Sequence, residues 1–422
     1  MTAKWHVRAD GSMGPCTARE GNCPFGGEEV TRHFDNETEA RSYSEKMVKE
    51  RHADGRHSLR CRKSNNDKLV IGVASSAVLD LSESDKVFRE EGVEAYERYQ
   101  VRHMDEPLGP GVAAPFVRKL LKFNKVLDKV DPGNSVDVII ASRNSPRTGL
   151  RAMKSLQKLD IPIDKATFTS GKSPAPYMEE AYDVDLFLSA NREDIHEAAR
   201  HDLPAGRVVQ DNEVMPGADP HPNELRLAFD FDGIIAGDSS ESQFQNYVKS
   251  KDSFQDALDA YAEYEQEHAE DPIESGPLMG LLRGFNRVQG TMDAIRKGTH
   301  PALEKMTDEE RAEIKRDMED VPSVRIYLVT ARGTDTAERA LNTLDAHGVH
   351  VDEMSMLAGR DKTPTLEVIQ PDMFFDDQAK NIKSYSSAPS VHIPLGVCNP
   401  CINKDIKDVF DQNKGNKNRI SK

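Results

Sequence analysis

The chain has 422 residues, 37% hydrophobic and 30% charged, more than one ordinary domain of roughly 100–200 residues accommodates. Lysine and arginine total 56 against 72 aspartate and glutamate, a formal charge of −16. That balance speaks against a chain-wide surface for a nucleic-acid polymer or an anionic membrane, while a few local donors can still hold a small phosphate ester. No run approaches the ~18 apolar residues of a membrane span, and charges and glycines punctuate the amino terminus as they would not in a signal peptide. A soluble, cytoplasmic protein is expected.

Residues 1–66 contain too little apolar material for a robust core and read as a small irregular appendage or partner-binding element. Within it a helix is expected from Asn36 to about Arg51, with Glu37, Ala40, Tyr43 and Met47 at helical spacing. The cysteines, Cys16, Cys23, Cys61, Cys398 and Cys401, are odd in number and make a poor disulfide framework. Reduced thiols are the reading preferred over a four-cysteine zinc site joining the two ends. Residues 67–215 and 216–400 each alternate short β-rich runs with helical segments such as Thr148–Leu159 and Thr336–His347, which implies parallel strands with crossover helices, an α/β class. Each half carries a long helical insertion after its first strand, about Ser82–Asn134 and Ser239–Pro322, placed to roof a site at the carboxyl edge of its sheet. The lysine- and asparagine-rich stretch 401–422 reads as a flexible tail.

The two halves match each other in order. Leu69–Leu79 sets against Leu225–Ile235 without a gap, and Phe88 meets Phe244. Ala95, Tyr96, Tyr99, His103, Pro107 and Gly111 then meet Ala260, Tyr261, Tyr264, His268, Pro272 and Gly276 at one constant offset. Val138–Ser142 matches Ile326–Thr330, Arg151 matches Arg339, and Asp185–Ser189 matches Asp372–Asp376. A duplicated unit explains such ordered self-similarity.

The second half carries the chemistry. Asp230 and Asp232 end one hydrophobic strand, Thr330-Ala331-Arg332 ends another, Gly359-Arg360-Asp361-Lys362 supplies an ammonium, and Asp376-Asp377 end a last strand. Burying several acids together is unfavourable unless a cation or proton compensates. Singly, each residue has a bland reading: a strand-end aspartate as a helix cap, Thr330 as a β-branched strand residue, Lys362 as a surface lysine, Asp377 as a cap for a helix holding Lys380. Arg332 reads as a solvated loop arginine, and His103 and His268 as structural histidines.

Taken in order, strand-end Asp-x-Asp, Thr, Lys and Asp-Asp resemble the four motifs of the haloacid dehalogenase-like phosphotransferases. That resemblance implies two Rossmann-like halves with helical caps, and Mg²⁺ as cofactor on Asp230, Asp232, Asp376 and Asp377. It implies Asp230 as nucleophile giving an aspartyl phosphate and Asp232 as general acid and base. Thr330, Ala331 and Lys362 would then hold the phosphoryl oxygens. Longer strings narrow it. Ser84–Tyr96, Asp105–Ala113, Ser142–Pro146, Asp183–Asn191, Leu328–Arg332, Gly359–Lys362 and Phe374–Gln378 resemble the cytosolic type I 5′-nucleotidases over residues 68–397. Mg²⁺-dependent hydrolysis of nucleoside 5′-monophosphates, AMP foremost, is what this implies. Where that family usually has Asp-Gly-Asp-Ala-Val followed by Leu-Phe-Ser-Asp-Glu, this chain has Asp230-Phe-Asp-Gly-Ile234 and then Ile235-Ala-Gly-Asp-Ser239. The acids are kept, and the loop beside the leaving group differs. Alternatives are a phosphomonoesterase or phosphotransferase for another small phosphate ester, and a nucleotide-sensing binding protein. A homo-oligomer and a nucleotide effector are compatible with either.

In the first half Ala74 and Ser76 stand opposite Asp230 and Asp232, Ser142 opposite Thr330, and Ser189-Ala190 opposite Asp376-Asp377. Near Lys362 the alignment takes a small gap, with Lys172-Ser173-Pro174 as the counterpart. This half is expected to be catalytically inert, either as scaffold or as an anion site built on Ser75, Ser76, Ser142 and Lys172.

Overall fold

Alternating β-rich runs and helices build a ten-stranded sheet in the computed structural model, which describes residues 4–8, 13–16, 31–34, 38–39, 68–201, 203–209, 219–382 and 388–394. Residues 1–62 and 63–422 are separate compact units. In the first, β1 (Lys4–Arg8) pairs antiparallel with both β2 (Met13–Cys16) and β3 (Thr31–Phe34), placing Trp5 opposite Pro15 and Phe34. This small sheet lies within the segment expected to be a small appendage. The helix expected from Asn36 lies outside the described residues except for Thr38 and Glu39, which are helical. Cys23, Cys61, Cys398, Cys401 and the tail 401–422 also lie outside them.

The larger unit begins with β4 (Leu69–Val73), β5 (Val136–Ser142), β6 (Lys165–Phe168), β7 (Leu186–Ser189) and β8 (Ala205–Val209). It continues with β9 (Glu224–Phe229), β10 (Ser323–Thr330), β11 (Glu353–Met356), β12 (Met373–Asp376) and β13 (Ser390–His392). The sheet order is β11-β10-β9-β12-β13-β8-β7-β4-β5-β6. Read outward from its middle, the two halves have the same order, β8-β7-β4-β5-β6 and β13-β12-β9-β10-β11. Within each half neighbours run parallel. At the join, β13 and β8 are antiparallel, with Val391 opposite Val208 and His392 opposite Arg207.

Strands buried on both faces read as continuous apolar runs, and alternate residues go to opposite faces. Thus Leu69, Ile71 and Val73 of β4 and Leu225, Leu227 and Phe229 of β9 enter one core shared by both halves, whereas Val70 and Ala228 enter separate clusters on the other face. The shared face is covered by helices Ala114–Val130 and Met279–Arg296. Each packs on its own half and also reaches the central strand of the other, β9 and β4 respectively. The first buries Phe116, Leu120, Phe123 and Leu127 at spacings of three and four. Gly284 permits the second crossing, since a Cβ there would lie 2.8 Å from Leu69 Cδ1. Each insertion therefore divides in two: its first pair of helices lies toward the site edge, while its long third helix belongs to the core. Roofing by the whole insertion, as expected from the sequence, is corrected accordingly. Among the described residues no helix is long and apolar enough to cross a membrane.

The self-match recurs in side-chain contacts. His103 and His268 each place Nδ1 2.8 Å from a carbonyl four residues earlier, Tyr99 and Tyr264. Arg151 Nε donates to the Glu106 carbonyl at 3.0 Å and Arg339 Nε to the Asp271 carbonyl at 2.9 Å. Asp185 and Asp372 each accept at 2.8 Å from an amide of the central strand, Val70 and Arg226. The gap placed near Lys362 lies beyond it, before Asp185 and Asp372, and not in the loop itself. Thr169, Ser170 and Gly171 donate to the carbonyls of Ser142, Asn144 and Arg143, as Leu357, Ala358 and Gly359 do to those of Thr330, Arg332 and Ala331. One register runs through both loops, so Lys172 corresponds to Arg360 and buried Pro174 to Lys362. A partial match in a loop admits a gap that main-chain hydrogen bonding does not.

Candidate active site

Parallel packing brings the carboxyl ends of β9, β10 and β12 to one edge. Leu328 lies opposite Phe229, and Phe375 opposite the same residue on its other side, so Asp230, Thr330 and Asp376 emerge together. The Asp230 amide still donates to the Phe375 carbonyl at 2.9 Å, which holds the first residue beyond β9 in the plane of the sheet. Asp230, Thr330, Lys362, Asp376 and Asp377 are all buried.

Lys362 is the hub. It precedes helix Thr363–Ile369 and follows a turn in which Ala358 and Gly359 have φ of 48° and 77°. Its Nζ donates to Asp230 Oδ2 and Asp376 Oδ2, each at 2.7 Å. Asp376 is fixed further by the Gln378 amide at 2.8 Å and by Asn381 Nδ2 at 3.0 Å. Asp377 presses against Gly233, whose φ is 74° and where a Cβ would lie 2.8 Å from Asp377 Oδ2. Both the positive φ and the approach require glycine there.

One ammonium faces three buried carboxylates. Burial pushes the Asp230 carboxyl up to about 7, with Asp376 adding to the rise and Lys362 opposing it. Burial, then Asp376 and Asp230, push Asp377 up to about 9. For Lys362, burial disfavours the charge but Asp230 and Asp376 outweigh it, so the ammonium persists beyond the usual lysine range. The cluster is short of positive charge. Ligand oxygens of Asp230, Asp376 and Asp377 lie within 4.8 Å of one another, a donor set for a hard divalent cation.

Of the four acids expected around a metal, three form this group. The Asp232 carboxylate is held instead by Arg332, with Nε to Oδ2 at 2.8 Å and Nη2 to Oδ1 at 2.7 Å. Thr330 Oγ1 accepts from the Arg332 amide at 3.1 Å. The Ala331 carbonyl accepts from Gly359, and its side chain is exposed. The expectation of a solvated loop arginine is overturned, because Arg332 is 4% exposed. Burial works against its charge, and Asp232, Tyr261 and Glu265 more than offset that. Its Nη1 donates to Glu265, and its guanidinium lies 5.0 Å from the Phe231 ring centroid and 5.9 Å from that of Tyr261.

Sequence reasoning missed Glu265 and Tyr261, on helix Phe254–Glu267 of the insertion. In a charge-rich helix a glutamate resembles solvated surface, yet Glu265 is 1% exposed. It accepts from Arg339 Nη1 and Ser240 Oγ, each at 2.8 Å. The available signal was the constant-offset match, in which Glu265 stands opposite Gln100. The loop that departs from the resembled family is clamped by Glu274, whose side chain accepts from the Ser239 hydroxyl at 2.7 Å and amide at 3.1 Å.

Residues 61–400 match the family model described as 5′-nucleotidase. The chain belongs to the 5′-nucleotidase family. It is also 28% identical over 326 residues to human Cytosolic 5′-nucleotidase 1B, covering 76% of this chain and 48% of that relative. The chain thus spans about half the length of this curated relative. No solved structure matches it.

Proposed function

We propose that this 5′-nucleotidase family chain hydrolyses nucleoside 5′-monophosphates of the AMP type to nucleoside and phosphate, by way of a phosphorylated Asp230. The observation that supports this most is the buried Lys362 bridging Asp230 and Asp376, with Asp377 beside them, at the carboxyl edge of the sheet. Mg²⁺ suits the oxygen donors of Asp230, Asp376 and Asp377, and when bound would supply the positive charge this cluster lacks. Asp230 attacks phosphorus through a carboxylate oxygen; an O–P bond forms as the bond to the 5′-oxygen breaks. Asp232 gives its proton to that leaving oxygen, then takes one from the water that hydrolyses the acyl phosphate. Lys362 and the Thr330 hydroxyl offset the phosphoryl charge. The first half, lacking every one of these acids, is read as scaffold.

Phosphate release with Mg²⁺ from AMP, IMP, GMP, CMP, UMP, deoxynucleotides and sugar phosphates tests the reading. Nucleoside monophosphates should turn over best, and Asp230→Asn should abolish turnover while keeping the fold. Preferred turnover of sugar phosphates, or tight nucleotide binding without turnover, would replace it.

A further inference from the structure

The duplication supplies an internal control for what each buried charge does. Contacts present in both halves, such as Arg151 and Arg339 on loop carbonyls or Ser155 Oγ and Thr343 Oγ1 on the carbonyls of those arginines at 2.7 Å, serve the common fold. Other positions differ between the halves. Where Asp230, Asp232, Lys362 and Asp376 stand in the second half, the first has Ala74, Ser76, Pro174 and Ser189. Among the further differences, two concern buried charges next to Asp232. Arg332 faces Asn144, and Glu265 faces Gln100. The backbone geometry is unchanged there: the Asn144 amide donates to Ser142 Oγ at 3.2 Å as the Arg332 amide does to Thr330 Oγ1. Gln100 Oε1 still accepts from Arg151 Nη1 at 2.9 Å, as Glu265 does from Arg339. Neutral residues therefore satisfy the fold at these two positions, and the charged pair accompanies the acids.

We propose that Glu265 and Arg332 are positioning residues for Asp232: Glu265, on the insertion helix, fixes the guanidinium, and the guanidinium fixes the plane of the Asp232 carboxylate toward the leaving oxygen. The proposal deepens the hydrolytic reading and rests on it. The chain of contacts is continuous. Glu265 is pinned by Arg339 and Ser240, Arg332 is packed against Phe231 and Tyr261, and each oxygen of Asp232 accepts one guanidinium N–H, which leaves a second lone pair on each to carry the transferred proton. Each of the three guanidinium nitrogens commits one N–H in this way, which leaves two of the five donors outside these contacts. Docking of the insertion helices thereby sets the geometry of proton delivery.

The test is single-turnover release of adenosine from AMP and of nitrophenol from p-nitrophenyl phosphate, with Mg²⁺, in Glu265→Gln and Arg332→Lys. Nitrophenolate departs without protonation, and adenosine does not. Both variants should lose about tenfold or more in adenosine release, with apparent substrate affinity nearly kept and nitrophenol release much less affected. Glu265→Gln reproduces the pairing already present at Gln100, so it should fold; Arg332→Lys keeps the charge but not the two-pronged grip. Gln100→Leu, at the matching position, should lower thermal stability and leave both release rates unchanged. Equal losses on the two substrates, a loss confined to affinity, or lowered stability with full rates would overturn the positioning role. Failure of the underlying reading is distinct: wild-type protein would release no phosphate from AMP, or Asp230→Asn would retain turnover.

Discussion

Lys362 carries a double duty, in the charge balance of the resting cluster and in the phosphoryl chemistry proposed for it. Lys362→Ala leaves Asp230, Asp376 and Asp377 without their ammonium, and kcat should fall by about 10²-fold or more, as when other preorganised charge donors are removed. A steady-state assay at saturating substrate and Mg²⁺ measures this, and a loss below tenfold would assign the stabilisation elsewhere. The same cluster sets a pH dependence. Asp230 and Asp377, pushed to about 7 and about 9, keep protons in the native protein that ordinary carboxyls of pKa about 4 release in the unfolded chain. Between about pH 4 and 9 the native state thus binds more protons, and this contribution to stability falls as pH rises. A divalent cation removes the penalty, so the gain in Tm from Mg²⁺ should be small near pH 5.5 and larger near pH 8.5. Scanning calorimetry with Mg²⁺ and with chelator at both pH values checks it; a gain independent of pH would place the cation away from these acids. The acids and the lysine were legible because a strand-end motif combines residue type with order. Arg332 and Glu265 were not, because a charge inside a polar loop or helix looks solvated until tertiary packing buries its partner beside it.

At the scale of elements, the strand and helix alternation was legible from periodicity, and the insertions from length. Their internal division was not. Helix Ala114–Val130 has the same helical spacing whether it roofs a site or covers a sheet, and only the facing strands decide. One polar residue on that helix makes the consequence testable. Lys119 is 4% exposed, and its Nζ donates to Asp372 at 2.7 Å and to the carbonyls of His221 and Glu224 at 2.9 Å each. A first-half helix thus fastens the amino-terminal ends of β9 and β12, at the edge away from the candidate site. Lys119→Ala leaves Asp372, a largely buried carboxylate, without its cation, and should cost about 3–5 kcal/mol. Denaturant titration reads that cost. Turnover per folded molecule should stay near wild type, and a comparable loss of kcat would mean that strain at this end reaches the acids.

For the whole molecule, the repeated motif order was enough to anticipate two halves of one topology. It did not reveal how they join, since edge-to-edge pairing of β8 with β13 leaves no mark on the periodicity of either strand. The join has an energetic meaning. One sheet crosses it, and one apolar core on one face takes residues from both halves. The long helices cross it in both directions. Neither half can lose its packing without exposing the other's central strand, so the ten-stranded sheet and its helices should unfold as one cooperative unit despite the repeated strand order. Leu120→Ala in the first half and Leu282→Ala in the second, both fully buried in the shared core, should each destabilise by about 2–5 kcal/mol. Each should also move the midpoints of activity loss and of backbone circular dichroism together. If Leu120→Ala melts part of the structure while phosphate release from AMP persists to the wild-type temperature, the halves are energetically separate. The first half would then be a neighbour rather than a support. The shared core argues for support: a half with no counterpart of Asp230, Asp232 or Asp376 still supplies β4, β5, Phe116 and Leu120 to the core that β9 enters, and β9 leads directly into Asp230.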